Sequence, residues 1–390
     1  MNDSEDDDME EWLPPPPSNK RRKRLTKEEI LRSRVRDSRM PRDWKEEAYS
    51  KLDSSDCDKG CEYVEALLKI PVGCYEKLPV TMKSTDVQIK KYFQRVEATL
   101  DAAVFGMKTV KDEVMNYIAQ IISTNNRTKP RVLGLCGSPG IGKTAIIRKG
   151  FALALNRPLV SISMGGVRDS NYFLGHDYTY VGSKPGILVQ NLVQLGCMNG
   201  IMFMDEVDKI SNTHDGNDIQ NLLLHITDPV QNNTFHDKYF AGLDIDLSNI
   251  IFVFSYNDES LIDPILRDRI FTIKVPDPSF EDKVEIGMRY LLKELTDNIG
   301  LRTDDVVINS EVMGYILKHY CKRQKGVRQL KKCLESLLLK INTARFAGFA
   351  RYKTFREGMK LPLKLTTEMV DELLADMREP LDKYVLSMYI

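Results

Sequence analysis

The chain has 390 residues, a length that allows more than one domain with its own hydrophobic core. Its 56 lysines and arginines balance 56 aspartates and glutamates, which excludes a general electrostatic attraction to nucleic acid or to an anionic membrane. No apolar run reaches the roughly 18 residues of a membrane span, and the acidic start is unlike a signal peptide. We therefore expect a soluble intracellular protein, in the cytoplasm or the nucleus, with no membrane partner.

Residues 1–26 combine an acidic run, four prolines and a basic run. The acidic run lies between Asp3 and Glu11, the prolines are Pro14 to Pro17, and the basic run is Lys20 to Arg24. Such segregated charge predicts a disordered tail. The basic run leaves three interpretations open: a nuclear targeting signal, a nucleic-acid contact or a solvated tail.

Helices are predicted between the tail and the first strand. Their apolar residues recur at helical spacing, and we interpret these stripes as packing surfaces. The predicted segments are Lys27–Asp37, Arg42–Leu52, an apolar patch at Tyr63–Leu68, Val87–Leu100 and Thr109–Ser123. Val104 and Phe105, which lie between the last two helices, are candidates for lining an adenine pocket.

An apolar run, a glycine loop and a helix follow one another from Val132 to Leu155. Backbone N–H groups surround phosphate oxygens only where no Cβ intrudes, and the positive end of a following helix faces the same oxygens. Lys143 can supply a charge to the β- and γ-phosphates, and Thr144 a hydroxyl to Mg²⁺. The loop matches the G-x-x-x-x-G-K-[ST] pattern of nucleotide-binding proteins with Gly137, Ser138, Pro139, Gly140, Ile141, Gly142, Lys143 and Thr144.

Further apolar runs predict four more strands and a second domain. Strands that alternate with helices form a parallel α/β sheet flanked by helices, with the ligand at the carboxyl ends of the strands. The predicted strands are Leu159–Met164, Gly200–Glu206, Asn249–Asn257 and Ile270–Val275, and a helix is predicted at Ile187–Leu195. A smaller, mostly helical domain follows with helices at Val284–Leu295, Ser310–Tyr320, Val327–Ala344 and Thr366–Met377 and a short strand near Leu363.

Two carboxylates end the third predicted strand. Asp205 is suited to holding Mg²⁺ through water, and Glu206 to polarising the attacking water. A hydrophobic run that ends in Asp-Glu is a weak signal when it stands alone. Its position downstream of a phosphate-binding loop makes it a strong one, and the sequence therefore predicts nucleotide hydrolysis.

Three further polar residues are candidates for the same site. Asn257 ends the fourth strand, where an amide can hold the attacking water, although an ordinary turn asparagine fits equally well. Arg269 and its neighbour Arg267 are far along the chain from the phosphate loop, and an arginine there can act on the nucleotide of a neighbouring subunit. Arg269 would then have no partner in its own chain. Arg328 opens a helix of the second domain and can reach the γ-phosphate.

The order and spacing of these motifs resemble the AAA+ module of Lon-type ATP-dependent proteases over about residues 27–378. Blocks outside the phosphate loop are more specific than the loop itself. They are Val104–Met107, Gly165–Asp169, Gly175–His176, Thr179–Gly182, Met204–Lys209, Asp228–Asn233, Leu266–Arg269 and Lys325–Arg328.

This resemblance implies an ATP and Mg²⁺ site with Asn257 as sensor one, Arg328 as sensor two and Arg269 as a finger that acts in trans. It also implies a homo-oligomer, a hexameric ring, with a polypeptide substrate in its pore. Tyr180 and Val181 would face that substrate, because an aromatic ring packs on any extended chain; a buried tyrosine is the alternative. The implied domains are a tail (1–26), a helical linker (27–95), the nucleotide-binding domain (96–276), a helical lid (277–378) and a tail (379–390).

The chain also departs from the family pattern. No Ser-Lys peptidase motif is present, few residues follow the last lid helix, and the usual globular N-terminal domain is absent. Asp177 and Tyr178 occupy positions near the pore loop that are usually basic. We therefore expect an ATP-dependent unfolding or remodelling enzyme that does not cleave protein by itself and that has a separate peptidase or adaptor as a candidate partner. The alternatives are a slowly hydrolysing assembly scaffold and a nucleic-acid translocase that uses Lys20–Arg24.

Overall fold

The computed structural model describes residues 26–54, 56–124, 129–180, 182–210, 214–322, 324–347, 352 and 361–377. The chain divides into two compact units, Met1–Leu68 and Lys69–Ile390. Residues 1–25 of the predicted tail, the predicted tail at 379–390 and the pore-loop residue Val181 lie outside the described residues. Within the described ranges, no helix is both long and apolar enough to cross a membrane. The predicted domain boundaries stay predictions.

Three helices form the described part of the first unit: α1 (Lys27–Asp37), α2 (Arg42–Leu52) and α3 (Cys57–Leu67). Helix α1 begins with a capping box, in which Thr26 and Glu29 each accept the other's backbone N–H through their side chains. The bounds predicted for α1 and α2 are confirmed. Helix α3 begins well ahead of the predicted apolar patch, because the Asp56 carboxylate caps it by accepting from the Lys59 N–H at 3.2 Å.

A five-stranded parallel sheet is the centre of the second unit, which confirms the predicted α/β class. Its strand order is β2-β3-β4-β1-β5. The strands are β1 (Val132–Cys136), β2 (Leu159–Ser163), β3 (Ile201–Asp205), β4 (Ile251–Tyr256) and β5 (Ile270–Lys274). Every residue of β4 is buried, as expected of a strand covered on both faces. This order places the carboxyl end of β1 between those of β4 and β5.

Helices cover the sheet on both sides. Two precede it, namely α4 (Asp86–Ala103) and α5 (Lys108–Ser123), and their buried residues belong to the same core as those of β1. The helix after the phosphate loop has three parts, α6 (Lys143–Ala145), a π-helical stretch (Ile146–Phe151) and α7 (Ala152–Leu155). The remaining helices are α8 (Asn171–Leu174), α9 (Ile187–Leu195), α10 (His214–Thr227) and α11 (Pro264–Arg269), of which only α9 was predicted.

The lid has its own core of buried apolar side chains. Its first helix consists of α12 (Phe280–Ile286), a π-helical stretch (Gly287–Leu291) and α13 (Leu292–Ile299), and it is longer than the predicted helix at both ends. The lid continues with β6 (Val306–Val307), α14 (Ser310–Tyr320), α15 (Arg328–Ala347), β7 (Leu363–Lys364) and α16 (Thr367–Leu373). Strands β6 and β7 pair in parallel, and β6 was not predicted because two residues carry no periodic signal.

Two glycine substitutions should have opposite effects on stability. A Cβ on Gly134 in β1 would lie 2.4 Å from Ile270 Cγ2 and 2.7 Å from Tyr256 Oη, so we expect Gly134→Ala to lower the free energy of unfolding by about 1–3 kcal/mol. A Cβ on Gly314 in α14 would meet only Phe280, at 3.5 Å. Gly314→Ala should therefore raise that free energy by about 0.5–1 kcal/mol. Urea denaturation measures both, and equal midpoints for the two variants would contradict this packing.

Candidate nucleotide site

The loop after β1 needs glycine at three positions. Gly140 and Gly142 have left-handed backbones, with φ of 76° and 107°. A Cβ on Gly137 would lie 2.6 Å from the carbonyl oxygen of Val275. Helix α6 begins at Lys143, directly after Gly142. The loop is therefore a backbone cradle at a helix N-terminus, which is the arrangement that binds phosphate.

Lys143 is buried in this cradle, with 7% of the residue exposed. Its ammonium group donates to the carbonyl oxygens of Gly137 and, at 3.3 Å, of Ser138, and to Asn257 Oδ1 at 2.8 Å. Burial lowers the pKa of Lys143, and the charges of Asp205 and Asp208 oppose that shift. The lysine charge is thus held inside the loop by neutral oxygen acceptors that a phosphate can replace.

Thr144 and Asp205 meet at the carboxyl end of β3, as an Mg²⁺ site requires. The Thr144 hydroxyl donates to Asp205 Oδ2 at 3.3 Å, and the Ser255 hydroxyl donates to Asp205 Oδ1 at 2.6 Å. Oxygen ligands from a hydroxyl and a carboxylate, with room for water, suit Mg²⁺. These residues therefore fit the ion.

Glu206 has a strained backbone, with φ of 61° in the left-handed region. Residues other than glycine adopt such angles mainly where function demands a particular side-chain direction. Its carboxylate lies against Gly165, where an added Cβ would come within 2.5 Å of Glu206 Oε2. Gly165, the first residue of the Gly165–Asp169 block, thereby leaves space for this carboxylate.

Asn257 follows β4 and contacts the site through both its side chain and its backbone. Its amide oxygen accepts from Lys143, and its N–H donates to Asp208 Oδ2 at 3.2 Å. The Asp208 side chain is only 1% exposed. Sequence reasoning did not single out Asp208, although its place two residues after Glu206 in an acidic run was a usable signal. Asp208 holds the backbone of Asn257 and contributes negative charge near Lys143.

The lid packs directly on the phosphate loop. The Val327 N–H donates to the carbonyl oxygen of Gly140 at 2.9 Å. A Cβ on Gly140 would lie 2.9 Å from Arg328 Cβ, and one on Gly326 would lie 2.5 Å from the carbonyl oxygen of Pro139. Arg328 therefore begins α15 beside the loop, so the structure places this predicted residue at the site.

A cavity of about 590 Å³ extends from the phosphate loop between the sheet domain and the lid. Val104, Phe105 and Ile141 line it, and the role of Val104 and Phe105 in binding adenine stays a prediction. Sequence reasoning missed the residues that close it from the lid and from the helix after the loop. They include Lys149, Ile286, Arg289, Tyr290, Glu294 and Val327.

Glu294 joins the two walls of this cavity. It accepts hydrogen bonds from Lys331 of the lid at 2.6 Å and from Lys149 of the sheet domain at 3.2 Å. The hydrogen bond from Lys331, and to a smaller extent the one from Lys149, lowers the pKa of the Glu294 carboxyl. No periodicity or motif marks such a bridge, because it exists only once the lid has packed.

Arg269 does have partners in its own chain, so the expectation that it lacks them is wrong. Its guanidinium donates to the carbonyl oxygen of Leu224 at 2.5 Å and pairs with Asp228 Oδ2 at 3.2 Å. Its side chain remains 31% exposed. The pair arises because the unpredicted helices α10 and α11 pack together, with Leu224 in the last turns of α10. Arg267, two residues earlier, is exposed.

Tyr180 is exposed, at 68% of its accessible surface, which rules out the alternative of a buried tyrosine. The Asp177 carboxylate orders the turn before it by accepting from the N–H and the hydroxyl of Thr179, each at 2.8 Å. Tyr178 packs edge-on against Tyr239 with ring centroids 5.6 Å apart. The structure thus places an exposed aromatic ring directly after a turn that side-chain hydrogen bonds stabilise.

Comparison with known proteins shows what this chain is similar to. The sequence profile of the ATPase family associated with various cellular activities (AAA) matches residues 133–276. A Lon protease homolog of Acanthamoeba polyphaga mimivirus is 39% identical over 266 residues, which cover 68% of this chain and 26% of that protein. The Lon protease of Xanthomonas oryzae pv. oryzae is 37% identical over 254 residues, 65% of this chain and 29% of that protein.

The alignment with the Lon protease of Clostridium beijerinckii is longer, at 31% identity over 356 residues, 89% of this chain and 42% of that protein. The chain therefore spans well under half the length of these relatives. The region that the AAA profile matches, residues 133–276, contains the phosphate loop, both carboxylates and Asn257. This chain carries an AAA+ ATPase module, and that module is similar to the one in Lon proteases.

Proposed function

We propose that the chain hydrolyses ATP at the subunit interface of a ring and uses the cycle to unfold or remodel a polypeptide. One observation carries the proposal: six candidate residues from four separate segments of the chain meet at one end of the sheet. They are Lys143, Thr144, Asp205, Glu206, Asn257 and Arg328.

Hydrolysis requires a water molecule to attack the γ-phosphorus while the bond to the bridging oxygen breaks and ADP leaves. Glu206 takes the proton from that water. Lys143 exchanges its contacts with the loop carbonyls and Asn257 for phosphate oxygens, which frees the Asn257 amide to orient the water. Thr144 and Asp205 would hold Mg²⁺, Asp205 through water, and the ion would supply positive charge to the phosphates.

The lid gives this cycle a mechanical output. Arg328 lies at the start of α15, beside the phosphate loop, and Glu294 bridges the lid to Lys149. A change at the γ-phosphate that moves Arg328 would therefore rotate the lid. We further propose that six identical chains form a ring in which Arg269 reaches the neighbouring nucleotide.

The exposed Tyr180 supports a polypeptide as the substrate in the pore of that ring. A protruding aromatic side chain grips backbone and side chains alike. The printed sequence contains no Ser-Lys peptidase motif, so we assign no proteolysis to it, and a separate peptidase or adaptor is a candidate partner.

The second candidate function is an assembly scaffold with slow turnover. The pairing of Arg269 with Asp228 favours it, since an arginine held inside its own subunit does not act on a neighbour's nucleotide. The motor and the scaffold differ in whether the substrate changes the turnover number.

We expect an unfolded protein, casein, to raise the steady-state ATP turnover number severalfold, and Tyr180→Ala to abolish this stimulation while keeping basal turnover. Tyr75→Ala is a matched control, because Tyr75 is 47% exposed and lies elsewhere in the chain. Turnover of the unsubstituted chain that casein leaves unchanged would contradict the motor and favour the scaffold. Stimulation by DNA instead of casein, with steep salt dependence, would indicate a translocase.

A further inference from the structure

The loop that bears Tyr180 is fixed at its base by a buried carboxylate, Asp237, which is 1% exposed. Asp237 Oδ2 accepts from the Gly186 N–H at 2.8 Å, and Oδ1 accepts from the Tyr239 N–H at 2.9 Å. A third backbone bond comes from Phe240. Both oxygens of this side chain are therefore used by backbone donors, one of which lies at the end of the loop.

The two ends of the loop approach each other closely at Asp237. Gly175, at the start, has φ of 75°, and a Cβ there would lie 2.6 Å from Gly186 N and 3.1 Å from Asp237 Oδ1. A Cβ on Gly186 would lie 1.9 Å from the carbonyl oxygen of Phe173. Two glycines and one carboxylate thus form the closed neck of the loop at residues 175–186.

Neighbours of Asp237 contact helix α8, which directly precedes the loop, and the loop itself. The Lys238 N–H donates to the carbonyl oxygen of Leu174 at 2.7 Å, and its ammonium group donates to Asn171 Oδ1 at 2.5 Å. The Tyr239 ring packs on Tyr178 of the loop. The turn at residues 237–239 is therefore a clamp, and Asp237 is its buried carboxylate.

From this arrangement we propose that Asp237 is a positioning residue that sets where Tyr180 stands for contact with a polypeptide. The proposal rests on the function proposed above. Burial raises the pKa of Asp237 to about 6, so at pH 7.5 the carboxylate is ionised and accepts from all its donors. A carboxylate without a counter-ion is costly to bury, and three backbone N–H groups compensate for that cost.

Asparagine at position 237 has nearly the same shape but a single acceptor oxygen. Its NH₂ group would face either the Gly186 N–H or the Tyr239 N–H, and two donors repel. We expect Asp237→Asn to release the neck of the loop while the nucleotide site, which Asp237 does not touch, stays intact. Asp244→Asn is the matched control, because Asp244 lies on the same segment, is exposed and pairs only with His236 in the described contacts.

The first test is hydrogen–deuterium exchange at single-residue resolution on the full chain with ATP at pH 7.5. In the unsubstituted chain the Gly186 amide should exchange at least about tenfold more slowly than the exposed Gly182 amide. In Asp237→Asn, residues 174–186 should exchange about tenfold faster, with β1 unchanged. Equal exchange at Gly186 and Gly182 in the unsubstituted chain, or equal loop exchange in Asp237→Asn and Asp244→Asn, overturns the proposal. The comparison of the two glycine amides needs no variant, so it holds even if Asp237→Asn does not fold.

The second test separates positioning from general destabilisation. Asp237→Asn should raise the casein concentration that gives half-maximal ATPase stimulation about tenfold and leave basal turnover within about twofold. A fall in basal turnover with an unchanged half-maximal concentration overturns the proposal. If casein does not stimulate the unsubstituted chain, the proposed function fails, whereas the exchange measurements still decide whether Asp237 holds the loop.

Discussion

Replacing Glu206 with glutamine is expected to lower the ATP turnover number by at least about a hundredfold and to leave ATP bound. Glutamine keeps the size and the hydrogen-bonding reach of glutamate but cannot accept a proton from water. The phosphate cradle does not use Glu206, since its contacts run through Lys143 and the loop backbone. Binding and turnover should therefore separate in this variant.

Steady-state hydrolysis and equilibrium binding of a fluorescent ATP analogue measure the two effects. Glu311→Gln is the control, because Glu311 is exposed in the first turn of α14. Turnover in Glu206→Gln within about tenfold of the unsubstituted chain would show that another group accepts the proton. If the variant lost both ATP binding and turnover, Glu206 would instead be needed for the structure of the nucleotide site.

The sheet was predictable because its strands are nearly continuous apolar runs. The central strands β1, β3 and β4 are almost fully buried and need such runs, and polar residues mark the ends of two of them, Asp205 in β3 and Asn257 directly after β4. The strand order was not predictable, since pairing depends on how the helices pack between the strands. The π-helical stretch at Ile146–Phe151 also has no sequence signal: it adds a residue to a turn without changing the apolar character of the segment.

The nucleotide site was predictable where one short motif contains several of its residues. Lys143 and Thr144 belong to one pattern, and Asp205 and Glu206 to another. Contacts between distant elements were not predictable, because no local residue spacing marks them. Glu294 between two lysines, and Asp237 at the base of the loop that bears Tyr180, are examples.

The pair between Arg269 and Asp228 is the most informative of these unpredicted contacts. It leaves two roles for Arg269, a finger that acts on a neighbouring subunit or an anchor for helix α11 in its own subunit. An exposed fraction of 31% is compatible with either role. Loss of turnover in Arg269→Ala alone does not separate them, because each role predicts it.

Mixed rings separate the two roles. Arg269→Ala alone should lower turnover about a thousandfold if the guanidinium stabilises the transition state from the neighbouring subunit. Subunits of Glu206→Gln alone are inactive as well. In a mixed ring, however, an Arg269→Ala subunit still has an intact Glu206. A neighbouring Glu206→Gln subunit can supply the intact Arg269 that completes this site. Mixing the two variants should therefore restore a substantial fraction of turnover.

To test this, Arg269→Ala is mixed with increasing amounts of Glu206→Gln, and the steady-state ATP turnover of each mixture is measured. Arg267→Ala is the matched comparison, since Arg267 is an exposed arginine on the same helix and the other candidate for the finger. It should keep full turnover if Arg269 is the finger. A mixture as inactive as its components, together with equal destabilisation by Arg269→Ala and Asp228→Asn in urea, would assign Arg269 to its own subunit. Together with full turnover in Arg267→Ala, that outcome would remove the physical reason for a ring and favour the scaffold, because neither arginine of α11 would then act on a neighbour's nucleotide.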